Sequence, residues 1–374
     1  MRFEGLQLVS RVDASGFLTI ELVEATLSEP SPTEVIVMVE AAPINPSDLA
    51  MLLGPADLDT LEVGGTTDRP TLRASIPSAA LGLVKARVDL PLTPGNEGAG
   101  VVVAAGADAD DMLGKRVAVR GGGMFAQYRQ LDRRDCVVLP EGVTAADGAS
   151  LFINPLTALG FVETMKAEGH SGIVHFAAAS NLGQMLNRIC VADGIPLVNI
   201  VRSREQAAIL RTAGARHVLD SSDPAHAAAL IDALQETGAT IAFDPIYGGK
   251  HLNGALAAME SAAARNAGAF NRYGTDTFKQ GYIYGTLAFS PPVLERWIGF
   301  AWSVGGWLLT NRLNQLGPET VGRMQQRVLS ELQTTFASHY SETVTLRDAL
   351  RPELVRAYNR KGTGQKYLLS PSGA

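Results

Sequence analysis

A chain of 374 residues exceeds what one hydrophobic core usually organises, so two domains are expected. Its formal net charge of -6 argues against non-specific binding to nucleic acid or to an anionic membrane, both of which need a basic surface. The two cysteines, Cys136 and Cys190, are too few for a four-cysteine zinc site or a disulfide framework. The first residues, MRFEGLQLVS, carry no basic-then-apolar leader. No run of about 20 apolar residues stands out as a membrane span. A cytoplasmic globular protein is the expectation.

Residues 1–150 read as one domain built mainly of strands. Phe17 to Val23 alternates in part, and Glu34 to Glu40 (EVIVMVE) is rich in β-branched residues. Val101 to Ala105, Arg116 to Val119 and Cys136 to Leu139 look similar. Helical periodicity is scarce, which predicts a compact β-barrel-like domain. Two turns stand out, Ala42 to Asp48 (APINPSD) and Pro94 to Gly100 (PGNEGAG). Between them, Pro55 to Leu92 reads as a long loop with a short helix near Ala79 to Lys85. Such a loop is either a lid or specificity element beside a cleft, or a surface decoration.

Residues 151–320 read as a second domain. Asn154 to Ala158 (NPLTA) opens the helix that precedes a βαβ unit. Ile173 to Phe176 is a short apolar strand, followed by the small-residue turn Ala177 to Gly183 (AAASNLG). Leu182, Met185, Leu186, Ile189 and Cys190 then share one helical face, Gly194 ends the helix, and Leu197 to Val201 is the next strand. A unit of about 30 residues is what a dinucleotide fold needs. A helix start offers unpaired N–H groups and positive potential to a pyrophosphate, provided the backbone can come close. The G-x-G-x-x-G places hold Ala178, Ser180 and Gly183, so the turn spanning Ala178, Ala179, Ser180, Asn181, Leu182 and Gly183 is a candidate phosphate loop. Alone it is also an ordinary strand–turn–helix.

The end of the second strand adds to the reading. An NAD-binding unit places an acidic residue there to hold the ribose 2′-hydroxyl. This chain has Arg202-Ser203-Arg204, and guanidinium groups bind phosphate through paired donors. The cofactor expected is NADPH. The competing reading is a solvated helix start.

Further on, helices are expected over Glu205–Ala213, Pro224–Thr237 and His251–Ser261, and strands over His217–Leu219, Ala239–Phe243 and Ala267–Tyr273. That alternation implies a doubly wound parallel sheet, the Rossmann arrangement, with ligands outside the carboxyl ends of its strands. Asp244-Pro245-Ile246 and Tyr284-Gly285-Thr286-Leu287 are strand-end segments of that kind. Residues 321–374 are expected to hold a long helix, Val321 to Thr335. The chain then returns to the first domain through Ser341–Val344, Leu346–Asn359 and a last strand Gln365–Leu369.

Taken together, PINPSDL, PGNEGAG, NPLTA, VNIVRSR and GTGQKYLL resemble the medium-chain dehydrogenase/reductase superfamily. The likeness is to its zinc-free quinone oxidoreductase and enoyl-thioester reductase branch. It covers nearly the whole chain except Pro55 to Leu92. The resemblance implies a GroES-like β-barrel catalytic domain joined to a Rossmann domain. It implies that Thr157 and the segment around Tyr284, Gly285 and Leu287 lie along a nicotinamide. Zinc members place a Cys and a His where this chain has Asn45-Pro46-Ser47-Asp48 and Asn96-Glu97. Amides and hydroxyls are poor zinc ligands, so no metal is expected. In relatives the edge around Trp302 to Leu309 pairs across a two-fold axis, which implies a homodimer. The tyrosine implicated as proton donor in the enoyl-thioester reductases has no counterpart, because Leu49 to Leu92 holds no Tyr, His or Cys.

Hydride transfer to a carbon made electrophilic by a conjugated carbonyl or quinone suits a site without a metal, because the negative charge spreads to oxygen and needs only donors. Asn45 and Ser47 are candidate donors, and Asn45 is equally a residue that satisfies its own turn. Three readings follow: an NADPH-dependent reductase of quinones or 2-alkenals, an enoyl-thioester reductase, and an NADPH-binding sensor or structural protein with little catalysis. The strand-end reading is tested by titrating both cofactors. Arg202→Ala is expected to weaken NADPH about tenfold or more, the worth of a charged hydrogen bond, and to leave NADH unchanged. An unaltered NADPH preference would remove the assignment.

Overall fold

The computed structural model describes residues 2–268, 271–288 and 290–373. The chain divides into two units, Met1–Ile153 with Ala337–Ala374, and Asn154–Phe336.

The first unit begins with β1 (Phe3–Val12), β2 (Phe17–Leu27) and β3 (Glu34–Pro43), then the short helix α1 (Pro46–Leu52). The stretch expected to be a loop instead contains β4 (Glu62–Gly65) and β5 (Pro70–Ser75). A turn closes them, with Thr66 and Arg69 exchanging backbone hydrogen bonds. β5 pairs antiparallel with β2 and buries Leu72 and Ala74. The insertion is therefore part of a four-stranded sheet, in the order β1-β2-β5-β4. Every residue of β4 is exposed, so it carries no alternation that a sequence could betray. The expected short helix is present as α2 (Leu81–Val84), flanked by single 3-10 turns.

A second sheet uses β6 (Glu97–Ala105), β7 (Arg116–Arg120), β8 (Tyr128–Asp132) and β9 (Cys136–Val138). Two strands that carry no sequence pattern, β1 and β8, have their own reasons. β1 becomes a strand through its ten-residue register with β2, and β8, mostly polar, through its pairing with β3. Helix α3 (Ala145–Gly148) follows, capped by Thr144.

Helix α4 (Ile153–Ala167) leads into the second unit. The segment Ala145–Ala167 is long and apolar enough to cross a membrane by composition alone, but 78% of its window is buried inside the protein, the pattern of a core helix. Next come β10 (Ile173–His175), α5 (Asn181–Asp193), β11 (Leu197–Val201), α6 (Arg204–Thr212), β12 (His217–Asp220), α7 (His226–Thr237), β13 (Ile241–Asp244) and α8 (His251–Arg265). β14 (Lys279–Ile283), β15 (Trp302–Gly306) and α9 (Leu309–Ser330) complete the unit. The six strands are all parallel, in the order β12-β11-β10-β13-β14-β15. The order reverses between β10 and β13, and the carboxyl-end crevice of a doubly wound sheet opens at such a reversal.

Among the described residues of the strand expected over Ala267–Tyr273, none is in a strand. Ala269 and Phe270 lie outside the described residues, and the described remainder is turn. Lys279–Ile283 takes its place in the sheet. The buried Lys279 ammonium donates to the Glu260 carboxylate and to the Thr277 carbonyl (2.9 Å). Each of that pair needs the other, since a stranded buried charge costs about 3–5 kcal/mol. The long helix also begins earlier than expected and is broken at Gly317 (φ 77, ψ 165), ahead of Pro318.

α5 shows how sequence becomes packing. Leu182, Met185, Leu186, Ile189 and Cys190 are all buried, as their spacing predicts. Gly194 ends the helix in the left-handed region (φ 66), with its N–H on the Cys190 carbonyl. Burial pushes the thiols of Cys136 and Cys190 up to about 12, which makes both poor nucleophiles. After Phe336 the chain re-enters the first unit with β16 (Glu342–Thr345), α10 (Pro352–Asn359) and β17 (Tyr367–Ser370). The boundary thus falls beyond the expected residue 320. The larger sheet of that unit runs β16-β17-β3-β6-β7-β9, with β8 on β3.

Candidate functional site

The turn after β10 is built for close approach. A Cβ at Gly183 would lie 2.2 Å from the Ala178 carbonyl oxygen, so only glycine lets α5 pack down on the strand. That is the role of the last fingerprint glycine. Ala178 and Ala179 are buried. Ser180 caps α5, its Oγ accepting from the Gly183 N–H (3.1 Å). Gln184 Nε2 donates to the Ala179 carbonyl (2.9 Å) and steadies the turn from inside. Asn181 and Leu182 form the first turn of the helix. The left-handed residue is Ala177 (φ 50), one place before the first fingerprint position, and a non-glycine residue there carries strain.

Ser203 caps α6, accepting from the Gln206 N–H (3.3 Å), and the Arg202 N–H donates to Gln206 Oε1 (2.9 Å). Both flanking guanidinium groups are exposed. Arg204 stands at a cavity of about 340 Å³ that also meets Arg211, Asp220, Asp223 and His226.

Two more strand ends join this side of the sheet. Asp244 Oδ1 accepts from the Ile246 N–H (2.7 Å). The Leu287 N–H donates to the Pro245 carbonyl (3.0 Å) and the Ala288 N–H to the Ile246 carbonyl (2.9 Å). A Cβ at Gly285 would come within 2.9 Å of the Pro245 carbonyl oxygen. The structure therefore brings Ile246, Tyr284, Gly285 and Leu287 together. Tyr284 is tied to β10, its Oη 2.8 Å from His175 Nε2. Burial drives His175 down to about 3 and raises Tyr284 well above its ordinary value, so both are neutral at pH 7. His175 went unnoticed in the sequence because a single histidine at a strand end carries no pattern. Thr157 lies buried on α4, in this same unit.

Asn45 and Ser47 belong to the first unit, where the two segments singled out in sequence converge. Asn45 is 2% exposed and Glu97 is 0% exposed. The Asn45 Nδ2 donates to Glu97 Oε1 (2.9 Å), while Glu97 Oε2 accepts from the N–H groups of Phe152 and Ile153 (both 2.9 Å). Asp48 accepts from the N–H groups of Asn45 and Asn96 (both 2.8 Å). Asn96 Nδ2 donates to Ser47 Oγ (2.9 Å). Burial pushes Asp48 up to about 7, and the adjacent Glu97 adds to this against the pull of the two N–H donors. Burial raises Glu97 as well. Asn45 is held in the interior of this unit by its side chain. It spends an amide N–H on Glu97, and its Oδ1 is buried without a hydrogen bond. Ser47 is exposed and accepts from Asn96, which leaves its own proton to give.

Comparison with known proteins follows from this geometry. Residues 31–141 match the alcohol dehydrogenase GroES-like domain. The mitochondrial enoyl-[acyl-carrier-protein] reductase of Xenopus tropicalis is 30% identical over 210 residues, covering 54% of this chain and 51% of that protein. The chain spans about half the length of the curated relatives it matches. Among solved structures, Escherichia coli quinone oxidoreductase complexed with NADPH has the same fold at TM-score 0.66 and 17% identity, covering 99% of this chain and 100% of that one. Pseudomonas syringae quinone oxidoreductase aligns at TM-score 0.67 and 19% identity over 98% of this chain and 100% of its own.

The turn yields a paired test. Gly183→Ala is expected to abolish dinucleotide binding and to destabilise the protein by about 1–3 kcal/mol through overpacking. Ala177→Gly relieves the left-handed strain and is expected to stay within about 1 kcal/mol of the parent. Nucleotide fluorescence titration and urea unfolding of both variants measure this. Normal binding by Gly183→Ala would refute the assigned role.

Proposed function

We propose that this chain, which matches the alcohol dehydrogenase GroES-like domain over residues 31–141 and shares its fold with Escherichia coli quinone oxidoreductase, is an NADPH-dependent, metal-independent oxidoreductase of the medium-chain dehydrogenase/reductase superfamily that reduces quinones or conjugated carbonyls such as 2-alkenals. The observation that carries the reading is the phosphate turn. Its backbone approach is held open by Gly183, and it lies beside a strand end bearing Arg202 and Arg204. The turn fits a dinucleotide, since a side chain at position 183 would fill the space the backbone needs. In this reading Ala178, Ala179, Ser180, Asn181, Leu182 and Gly183 hold the pyrophosphate, Arg202, Ser203 and Arg204 the 2′-phosphate, and Thr157, Ile246, Tyr284, Gly285 and Leu287 the nicotinamide end. A bound reduced nicotinamide supplies the hydride. Ser47 offers a hydroxyl hydrogen to the oxygen that gathers charge, and Asn45 keeps its place through Glu97.

The metal-free reading is supported by the donor set at the two converging segments. Asp48 and Glu97 are already engaged by N–H donors, and the neighbouring side chains are amides and a hydroxyl, poor ligands for zinc. An enoyl-thioester substrate is the second reading, favoured by the similarity to the Xenopus protein. Among the described residues, β15 ends the parallel sheet with no further strand on its outer edge. The loop before it exposes Trp297 (85%) and Phe300 (79%). An unpaired edge beside large apolar groups favours self-association, and we place a cytoplasmic homodimer there.

NADPH oxidation across quinones, 2-alkenals and enoyl thioesters tests the activity. Turnover of the first two classes, unaltered by a chelator, is expected. Preference for thioesters selects the second reading, and tight NADPH binding without any turnover contradicts both. Sedimentation at micromolar concentration is expected to return a dimer mass, and a monomer would count against the edge contact.

A further inference from the structure

Three side chains of the first unit form a chain of hydrogen bonds that none of the roles above uses. Lys366 Nζ donates to Ser150 Oγ at 2.8 Å, and Ser150 Oγ lies 2.8 Å from Tyr340 Oη. The residues come from distant parts of the sequence. Ser150, 1% exposed, sits between α3 and α4. Tyr340 precedes β16 and Lys366 precedes β17, both partly buried. The Tyr340 hydroxyl also bonds Ser338. The charged groups that face the chain are Glu97 on β6 and Asp48 on α1 toward Lys366, and Glu97 with Asp147 on α3 toward Tyr340.

A lysine that served only to balance Glu97 and Asp48 would place its ammonium on a carboxylate. This one is hydrogen-bonded to a serine hydroxyl, which in turn meets a tyrosine. Hydroxyl groups donate and accept at once, so the series can pass a proton along without moving a heavy atom.

We propose that Lys366, Ser150 and Tyr340 are a proton relay that supplies the proton completing the reduction, an inference that rests on the reductase reading above. Once hydride addition has left an electron pair on the substrate, that anion takes the phenolic proton: the Tyr340 O–H bond breaks and a new bond to hydrogen forms on the substrate. The tyrosinate takes the Ser150 proton, and Ser150 takes one from the Lys366 ammonium. The neutral amine is reloaded from water. The substrate gains two electrons and two hydrogens, the reduced nicotinamide loses a hydride, and the protein ends as it began. The acid order favours this direction. Burial brings Lys366 down to about 8, against the upward pull of Glu97 and Asp48, and pushes Tyr340 far above its ordinary value. The tyrosinate is therefore the stronger base.

The test uses the full chain with NADPH and the best acceptor from the panel. Ser150→Ala cuts the chain without changing charge, Ser150→Thr keeps a hydroxyl, and Lys366→Arg keeps the charge in a group that does not release its proton. Ser150→Ala and Lys366→Arg are expected to lower kcat about 100-fold, the usual worth of a positioned acid. KM and the NADPH dissociation constant should hold within about threefold, since the chain acts on the proton rather than on binding. Wild-type kcat is expected to fall as pH rises through about 8, where Lys366 loses its proton, and Lys366→Arg should lose that limb. Ser150→Thr should recover most of the rate. The relay is overturned if kcat of Ser150→Ala stays within about twofold of wild type. It is equally overturned if the rate loss merely tracks lost thermal stability and NADPH affinity and threonine does not restore it. Ser150→Ala decides alone if Lys366→Arg does not fold. A wild type that turns over nothing on the panel removes the reductase reading and the relay with it, whereas turnover with unmoved variants removes the relay only.

Discussion

A missing Cβ governs the second unit of this protein. The carbonyl oxygen of Ala178 occupies the space a side chain at position 183 would need. The helix can therefore start against the strand, and its first N–H groups reach the mouth of the sheet. Everything proposed about the nucleotide depends on that approach, because a helix N-terminus attracts anionic oxygens only at short range. The other glycines of the fingerprint are replaced without loss of the turn. Ser180 turns its hydroxyl inward as a cap, and Ala177 accepts the left-handed strain that glycine would avoid.

The first unit solves a different problem. It buries two carboxylates, which is costly unless each is hydrogen-bonded. Both are satisfied by amide N–H groups, and the cost shows as raised proton affinity at Asp48 and Glu97. Lys366 is pushed the opposite way by the same burial. Three ionisable groups with opposed shifts in one neighbourhood make a polar interior that responds to protons, which an ordinary β-sheet core does not. The buried pair of Lys279 and Glu260 in the other unit shows the contrast: there the two charges meet directly and hold structure.

Much of the architecture was legible. The α5 face, its glycine stop, β11 and the alternation of the parallel sheet all follow from local spacing. The converging turns around Asn45 and Asn96 were visible as motifs. Several features were not. β1 and β8 become strands through partners distant in sequence, and the hairpin of β4 and β5 hid behind an exposed, glycine-containing strand. That Glu97 holds the Asn45 amide is a contact between distant segments that sequence cannot show. His175, Ser150, Tyr340 and Lys366 belong to no spacing rule.

By itself, then, the sequence determined the periodic elements, the small-residue turn after β10, and the paired arginines after β11 on which the cofactor proposal rests. These are properties of neighbours along the chain, where a period of two or of 3.6 leaves a readable trace. Tertiary structure alone decided which polar atoms are used up and which remain. Whether a hydroxyl, amide or ammonium has a partner depends on segments brought together from distant places, as Ser150, Tyr340 and Lys366 are, and on the burial that sets each group's hold on its proton.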